Sequence, residues 1–223
     1  KNNMWINKGE IPNNNKDDDK NGYIDDVYGW DFYNNKPNGY DDGSHGTHCA
    51  GIIGAQGNNN IGVSGVMWDV KLMSLKFLNE DGDGYTSDAI KAQNYATKMG
   101  AHITSNSWGS YGYTQSMFES INKFRIKNNG IFVAAAGNDK INNDITPMYP
   151  CSYSLYNVIC VSATTRNNQL AYFSNYGTKN VDLGAPGVTI YSTLPKNKYG
   201  YMSGTSMAAP FVSGIIGLLK SYN

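Results

Sequence analysis

Apolar segments rich in β-branched residues alternate along this chain with segments of helical periodicity. The apolar segments, which we interpret as strands, are 69–78, 102–107, 130–136, 157–163, 181–184 and 188–193. The helical segments are 45–55, 87–99, 114–128 and 205–222. Strands that alternate with helices favour a mostly parallel sheet with helices on both faces. We therefore predict an α/β fold that forms one domain over residues 1–223, with ligands bound at the carboxyl ends of its strands.

The charges of the chain are balanced, with 18 lysine and arginine residues against 18 aspartate and glutamate residues. This balance argues against a partner held by long-range electrostatics, so we expect no nucleic-acid partner. No apolar stretch approaches the roughly 18 residues of a membrane span, and the polar start of the chain is unlike a signal peptide. We expect no membrane segment within this chain and any targeting segment outside it.

The cysteines are odd in number, three in all. Cys151 and Cys160 flank a loop that runs into a predicted strand. They form a disulfide if the protein is secreted, or remain two reduced thiols, and the sequence leaves both possibilities open. Cys49 lies in an apolar helical stretch, which indicates a buried, inert thiol rather than a nucleophile.

Two short segments offer a base and a nucleophile. Residues 44–51 read Ser-His-Gly-Thr-His-Cys-Ala-Gly, and residues 204–210 read Gly-Thr-Ser-Met-Ala-Ala-Pro. A serine hydroxyl is a poor nucleophile at neutral pH and needs a histidine to take its proton. We predict Ser206 at the amino end of the last helix, where free N–H groups favour developing negative charge.

An acidic loop near the start of the chain carries oxygen-bearing side chains at alternate positions. A glycine within it allows a sharp turn, as in an EF-hand-like loop, although no glutamate stands at its end. We predict a Ca²⁺ site, with a solvated acidic turn as the alternative. The candidate ligands are the side chains of Asp17, Asp19, Asn21, Asp25 and Asp26 and the carbonyl of Tyr23.

These segments, together with Ala-Ala-Ala-Gly-Asn at 134–138, resemble the subtilisin-like serine proteases, or subtilases. The resemblance covers nearly the whole chain and includes 61–63, 107–109, 149–150 and 183–187. It implies the three-layer subtilisin-like fold and a serine endopeptidase acting on polypeptides. It also implies a zymogen inhibited by its own propeptide, calcium binding in the acidic loop, and a location in the secretory pathway or outside the cell.

The resemblance assigns His45 as the general base, Ser206 as the nucleophile, and the Asn138 amide as an oxyanion donor beside the Ser206 N–H. His48 is then structural. It further implies an edge on which an extended peptide pairs, an opposite pocket wall and a cleft rim. The edge is Ser107, Trp108 and Gly109, the wall is Ala135, Ala136 and Gly137, and the rim includes Gly82 and Gly84. Core packing is the alternative for Trp108.

The chain departs from the family pattern at one point. The triad aspartate of subtilases stands in an Asp-Thr/Ser-Gly motif before the histidine, and this sequence has no such motif. Residues 1–5 resemble the segment that follows the strand carrying it. We therefore expect the first strand and any prodomain to lie upstream of Lys1. We also expect the isolated chain to be essentially inactive, since loss of the carboxylate partner costs about 10⁴ in turnover.

Two rival functions remain open at this stage. A catalytically dead, subtilase-like binding module is the first, should the parent protein truly lack the aspartate. An esterase or acyltransferase with the same nucleophile is the second. Against it stand the absence of a Gly-x-Ser-x-Gly elbow and the order of His45 before Ser206, because α/β-hydrolases place the histidine last.

Overall fold

A four-stranded parallel sheet forms the centre of the computed structural model, which describes residues 2–222. The helices are α1 (His45–Gly54), α2 (Thr86–Lys98), α3 (Gln115–Asn128) and α4 (Thr205–Tyr222). The strands are β1 (Gly29–Asp31), β2 (Lys36–Pro37), β3 (Ser74–Lys76), β4 (Ile103–Asn106), β5 (Ile131–Ala135), β6 (Val158–Thr164), β7 (Leu183–Pro186), β8 (Ile190–Leu194) and β9 (Lys198–Met202). The central sheet has the order β4-β5-β6-β7.

The two faces of the central sheet pack against different helices. Along β5, Val133 and Ala135 pack with residues of α4, whereas Phe132 and Ala134 pack with residues of α3. This division follows from the period of two in a strand, which sends successive side chains to opposite faces. The predicted α/β class with helices on both faces is therefore confirmed, in three layers.

Two smaller sheets flank the central one. In the first, β1 lies between β2, which is antiparallel to it, and β3, which is parallel. In the second, β8 and β9 form an antiparallel hairpin. The sequence analysis missed β1, β2 and β9, and predicted a ten-residue strand where β3 has only three residues. These strands are short or interrupted by glycine and lysine, so pairing with neighbours decides them.

The three cysteines form one disulfide and leave one free thiol. Cys151 is bonded to Cys160, with their Cα atoms 4.9 Å apart, which resolves the alternative that the sequence left open. Cys49 is free and buried, as expected. Within residues 2–222, none of the helices combines the length and the apolar character that crossing a bilayer requires.

Candidate active site

Ser206 lies in the first turn of α4, at the carboxyl edge of the central sheet. The Gly204 N–H donates to Gly187 O (2.8 Å), just beyond β7, and the Thr205 N–H donates to Asn138 Oδ1 (2.8 Å), beyond β5. Ala208 and Ala209 are fully buried against the sheet. Their small side chains let the helix approach closely, so the start of α4 is fixed by strands on either side.

His45 is the first residue of α1 and is half-buried. The Asp41 carboxylate caps this helix by accepting N–H bonds from Ser44 (2.9 Å) and Thr47 (2.6 Å). Burial lowers the pKa of His45 below its ordinary value, and the nearby Asp41 charge acts in the opposite direction. The imidazole is therefore neutral, and able to accept a proton, at neutral pH.

One face of α1 contacts the start of α4. Cys49 stands four residues after His45, so the two share a helix face, and the Cys49 thiol donates to Ser206 O at 3.3 Å. Cys49 also packs with Met207. The helix face that carries His45 is thus the one that meets Ser206. Burial raises the pKa of Cys49 to about 12, which keeps the thiol protonated and inert.

Asn138 follows β5 and has a fixed amide orientation. Its Oδ1 accepts hydrogen bonds from the Thr205 N–H (2.8 Å) and the Thr205 hydroxyl (3.0 Å). Among residues 2–222, Nδ2 donates to no acceptor, so it is a free N–H donor. A Cβ built on Gly204 would lie 3.6 Å from Asn138 Nδ2 and 3.6 Å from the Ser206 nitrogen. Asn138 Nδ2 and the Ser206 nitrogen therefore lie close to the same point beside Gly204.

The segment 107–109 lies directly beside the serine. Ser107 Oγ donates to Ser206 O (2.8 Å), and Ser206 Oγ donates to Ser107 O (3.3 Å). Trp108 packs edge-on against Phe77, with ring centroids 5.1 Å apart, and is half-buried. This contact supports core packing for one side of Trp108, and its role as a peptide-binding edge stays a prediction.

The opposite wall and the rim are also close to this site. Ala135 and Ala136 are buried as whole residues, and Gly137 follows with a φ of +108°. The loop containing Gly82 and Gly84 precedes α2. It passes near the segment before His45, because a Cβ on Gly43 would lie 2.8 Å from Glu80 O.

Met148 joins the two walls, and the sequence analysis missed it. A Cβ on Gly109 would lie 2.7 Å from Met148 Cε, and a Cβ on Gly137 would meet Met148 Sδ. The tip of one methionine therefore fills the space between two glycines from facing segments. The signal in the sequence was its position directly before Tyr149 and Pro150, which were noted only as part of the resemblance.

The acidic loop forms a carboxylate cluster whose membership differs from the predicted ligand set. One oxygen from each of Glu10, Asp19 and Asp26 lies within 4.8 Å of the others. Glu10 precedes the acidic run and was missed. Burial raises its pKa, N–H bonds from residues 18 and 19 oppose this, and the charges of Asp26 and Asp19 raise it further.

Other members of the predicted set have different partners. Asp17 accepts N–H bonds from Asn21 (2.9 Å) and Gly22 (2.8 Å), and Asp25 accepts those of residues 14 and 15. These two carboxylates stabilise turns. The Asn21 amide donates to both Asp19 and Asp26, and the Tyr23 ring packs edge-on against Trp30.

A cleft of about 910 Å³ lies at the carboxyl ends of α2 and α3. It is lined by Lys98, Lys123 and Lys127 among others. Because helix C-termini carry partial negative charge, Lys98 and Lys127, which lie in last turns, are explained by the two helix dipoles. The cleft is remote from Ser206, which lies at the edge where the parallel strands end.

The chain matches the subtilase family over residues 4–223. It is 41% identical over 195 residues to a thermophilic serine proteinase of Bacillus sp. (strain AK1), covering 87% of this chain and 47% of that protein. It is 40% identical to subtilisin-like protease 2 of Plasmodium falciparum, covering 86% of this chain and 14% of the relative. Thermitase of Thermoactinomyces vulgaris is 38% identical, with 87% and 67% covered.

A solved structure agrees with these sequence matches. The crystal structure of a cold adapted subtilisin-like serine proteinase has a TM-score of 0.75 and 30% identity, covering 87% of this chain and 67% of that one. The chain thus spans about half the length of the Bacillus relative, or less for the Plasmodium one. It belongs to the subtilase family of serine proteases.

Proposed function

We propose that the protein containing this chain is a serine endopeptidase, with Ser206 as nucleophile and His45 as general base. The observation that carries the proposal is the pair of N–H donors at Asn138 and Ser206, which border one space beside the Ser206 side chain. An oxyanion formed by attack on a peptide carbonyl fits that space. Loss of one such donor costs about 10²–10³ in turnover.

In this mechanism the Ser206 hydroxyl attacks the carbonyl carbon while His45 takes the hydroxyl proton. His45 then gives the proton to the departing amine, and water repeats the sequence to release the acid. Within this chain, burial lowers the pKa of His45, which favours the neutral ring that can accept a proton. Among residues 2–222, no carboxylate hydrogen-bonds to its ring, and Asp41 is occupied in capping α1. We assign the orienting carboxylate to a residue upstream of Lys1.

The substrate is a polypeptide bound in extended form along residues 107–109, with Gly82 and Gly84 at the rim. Main-chain pairing of this kind accepts many sequences, so side-chain pockets supply the selectivity. Met148 fills the space between Gly109 and Gly137. We therefore propose a shallow primary pocket that accepts small side chains at the residue before the cleaved bond.

Calcium is the proposed resident ion of the acidic loop, held by Glu10, Asp19 and Asp26. These residues fit it, because three carboxylates converge and oxygen donors are what Ca²⁺ prefers. Among residues 2–222, no lysine or arginine pairs with them. A cation would therefore relieve the repulsion that contributes to the raised pKa of Glu10. Its role would be to stabilise the loop, remote from the chemistry.

The disulfide supports a secreted or extracellular location, since such bonds persist in oxidising compartments. A propeptide that inhibits the zymogen is proposed from family membership alone. The same holds for a first strand upstream, without which the isolated chain is expected to be inactive.

The test uses the full-length protein and its Ser206→Ala variant. We expect the parent to hydrolyse peptide amides and to react with a fluorophosphonate probe, and both properties to vanish in the variant. If the parent protein reacts with the probe and cleaves esters but not amides, the esterase function would be favoured. Failure of the parent to react at all would favour the binding module. Amide hydrolysis by residues 1–223 alone would contradict the upstream carboxylate.

A further inference from the structure

Asn138 is bracketed on both sides by a single buried residue, Asn175. The Asn175 N–H donates to Gly137 O at 2.9 Å, and Asn175 Oδ1 accepts the N–H of Asp139 at 2.9 Å. The same Oδ1 also accepts the N–H of Ile141 at 3.1 Å. The residues before and after the proposed oxyanion donor are thus both bonded to Asn175, Gly137 through the Asn175 main-chain N–H and Asp139 through the side-chain amide.

A second buried asparagine, Asn143, links Asn175 to the end of β5. Asn175 Nδ2 donates to Asn143 Oδ1 (3.1 Å), and Asn143 Nδ2 donates to Ala136 O (2.9 Å). Both asparagines have no exposed surface. Burying two primary amides costs free energy unless their polar atoms are paired. Here the Asn175 side chain uses both ends of its amide, since Oδ1 accepts from Asp139 and Ile141 and Nδ2 donates to Asn143.

The backbone at Gly137 leaves little space between this turn and Asn175. Its φ of +108° suits glycine, and a Cβ there would lie 2.5 Å from Asn175 Nδ2. The turn after β5 is thus packed directly on the Asn175 amide. Since the Asn138 side chain must reach Thr205 across a bond of 2.8 Å, a shift of this turn would misplace Nδ2.

We propose that Asn175 is a positioning residue for the hydrolytic reaction, acting with Asn143 to hold the turn that aims the Asn138 amide at the oxyanion. The inference rests on the proposed function. Preorganised donors stabilise a transition state because they need not reorient during the reaction. A misplacement of about 1 Å can cost about 10² in rate. The effect of Asn175 therefore falls on kcat and is transmitted through Asn138.

The test compares Asn175→Ala with Asn157→Ala in the full-length protein. Asn157 is a matched control, because it is also buried and its amide also donates to main-chain carbonyls, at Gly130 (3.1 Å) and Ile121. It lies at the amino end of β6, at the opposite edge from Asn138. Rates are normalised to titrated active sites, so unfolded molecules do not count.

We expect Asn175→Ala to lower kcat tenfold to 100-fold with KM within threefold, and Asn157→Ala to leave kcat within twofold. In an Asn138→Ala background, the further loss from Asn175→Ala should fall below threefold, because the donor it positions is gone. Asn175→Asp, which keeps the acceptor for Asp139 and Ile141, should retain more kcat than Asn175→Ala.

Two results would overturn the inference. One is a kcat for Asn175→Ala equal to that of Asn157→Ala; the other is a full, independent loss in the Asn138→Ala background. Ser206→Ala separates this failure from that of the proposed function. If Ser206→Ala abolishes amide hydrolysis while Asn175→Ala does not lower kcat, only the positioning role fails.

Discussion

Replacing Gly204 by alanine places one methyl group beside both proposed oxyanion donors. The new carbon would lie 3.6 Å from Asn138 Nδ2, 3.6 Å from the Ser206 nitrogen and 3.7 Å from Asn138 Oδ1. These are ordinary van der Waals contacts, so the methyl group clashes with nothing in the free enzyme. It stands, however, beside both nitrogen atoms that we propose as oxyanion donors.

The expected losses differ for folding and for catalysis. The φ of +159° at Gly204 is one that L side chains rarely adopt, so alanine there carries a backbone cost of about 1–3 kcal/mol. An oxyanion needs its donors at about 2.7–3.1 Å, and losing one of them lowers turnover by about 10²–10³. We therefore expect kcat to fall by at least 10², with KM for a short peptide nearly unchanged.

The assay measures kcat and KM for a chromogenic peptide amide with the full-length protein, alongside its melting temperature. Gly100→Ala is the matched control. Gly100 has a φ of +77° with open space around its Cβ position, so the control includes a backbone cost without touching the site. We expect Gly100→Ala to retain wild-type kcat while losing a few degrees of melting temperature.

A Gly204→Ala enzyme with kcat within fivefold of wild type would refute the reasoning, because the methyl group could not then occupy the oxyanion space. A kcat loss that merely tracks lost folded protein would also refute it. Titration of active sites distinguishes the two, since it counts folded enzyme.

Three further predictions concern the loop, the pocket and the base. Glu10→Gln should weaken calcium binding. With calcium 100-fold above Kd, bound calcium stabilises the wild type by about 2.7 kcal/mol, so EDTA should lower its melting temperature. Most of that decrease should be absent in Glu10→Gln but retained in the exposed Glu119→Gln. For peptides with phenylalanine or alanine before the cleaved bond, Met148→Ala should raise the ratio of the two kcat/KM values in favour of phenylalanine by tenfold or more. An unchanged ratio would contradict a pocket filled by Met148. In residues 1–223 alone, the His45 ring followed by NMR should titrate with its midpoint below pH 6.5, because burial lowers the pKa of His45. Asp41→Asn should move that midpoint to lower pH, since it removes a charge that favours the protonated ring; a shift upward would count against this.

Helices and strands could be predicted from the sequence where their hydrophobic patterns are long. The apolar runs that became β5 and β6, and the periodic segments that became α2 and α3, were placed within one or two residues. Short strands such as β1 and β9 were missed, because their three and five residues are interrupted by glycine, aspartate or lysine, and pairing with β3 and β8 decides them.

The candidate site divides in the same way. His45, Ser206 and Asn138 were singled out because their motifs are specific, and their catalytic roles stay predictions until tested. Glu10 and Met148 were missed, since neither lies within a recognisable motif. Each was identified by its contacts with residues distant in sequence. Glu10 lies near Asp26, and Met148 lies near Gly109 and Gly137.

The sequence by itself determined the family, the α/β alternation and the candidates for the reactive groups, because these depend on local patterns and short motifs. Only the tertiary structure decided which carboxylates cluster, that Met148 lies between Gly109 and Gly137, and that Asn175 bonds to both neighbours of Asn138. Such features depend on contacts between segments far apart in the chain. The physical reason is that local preferences set each element, whereas distances between elements follow from how the whole core packs.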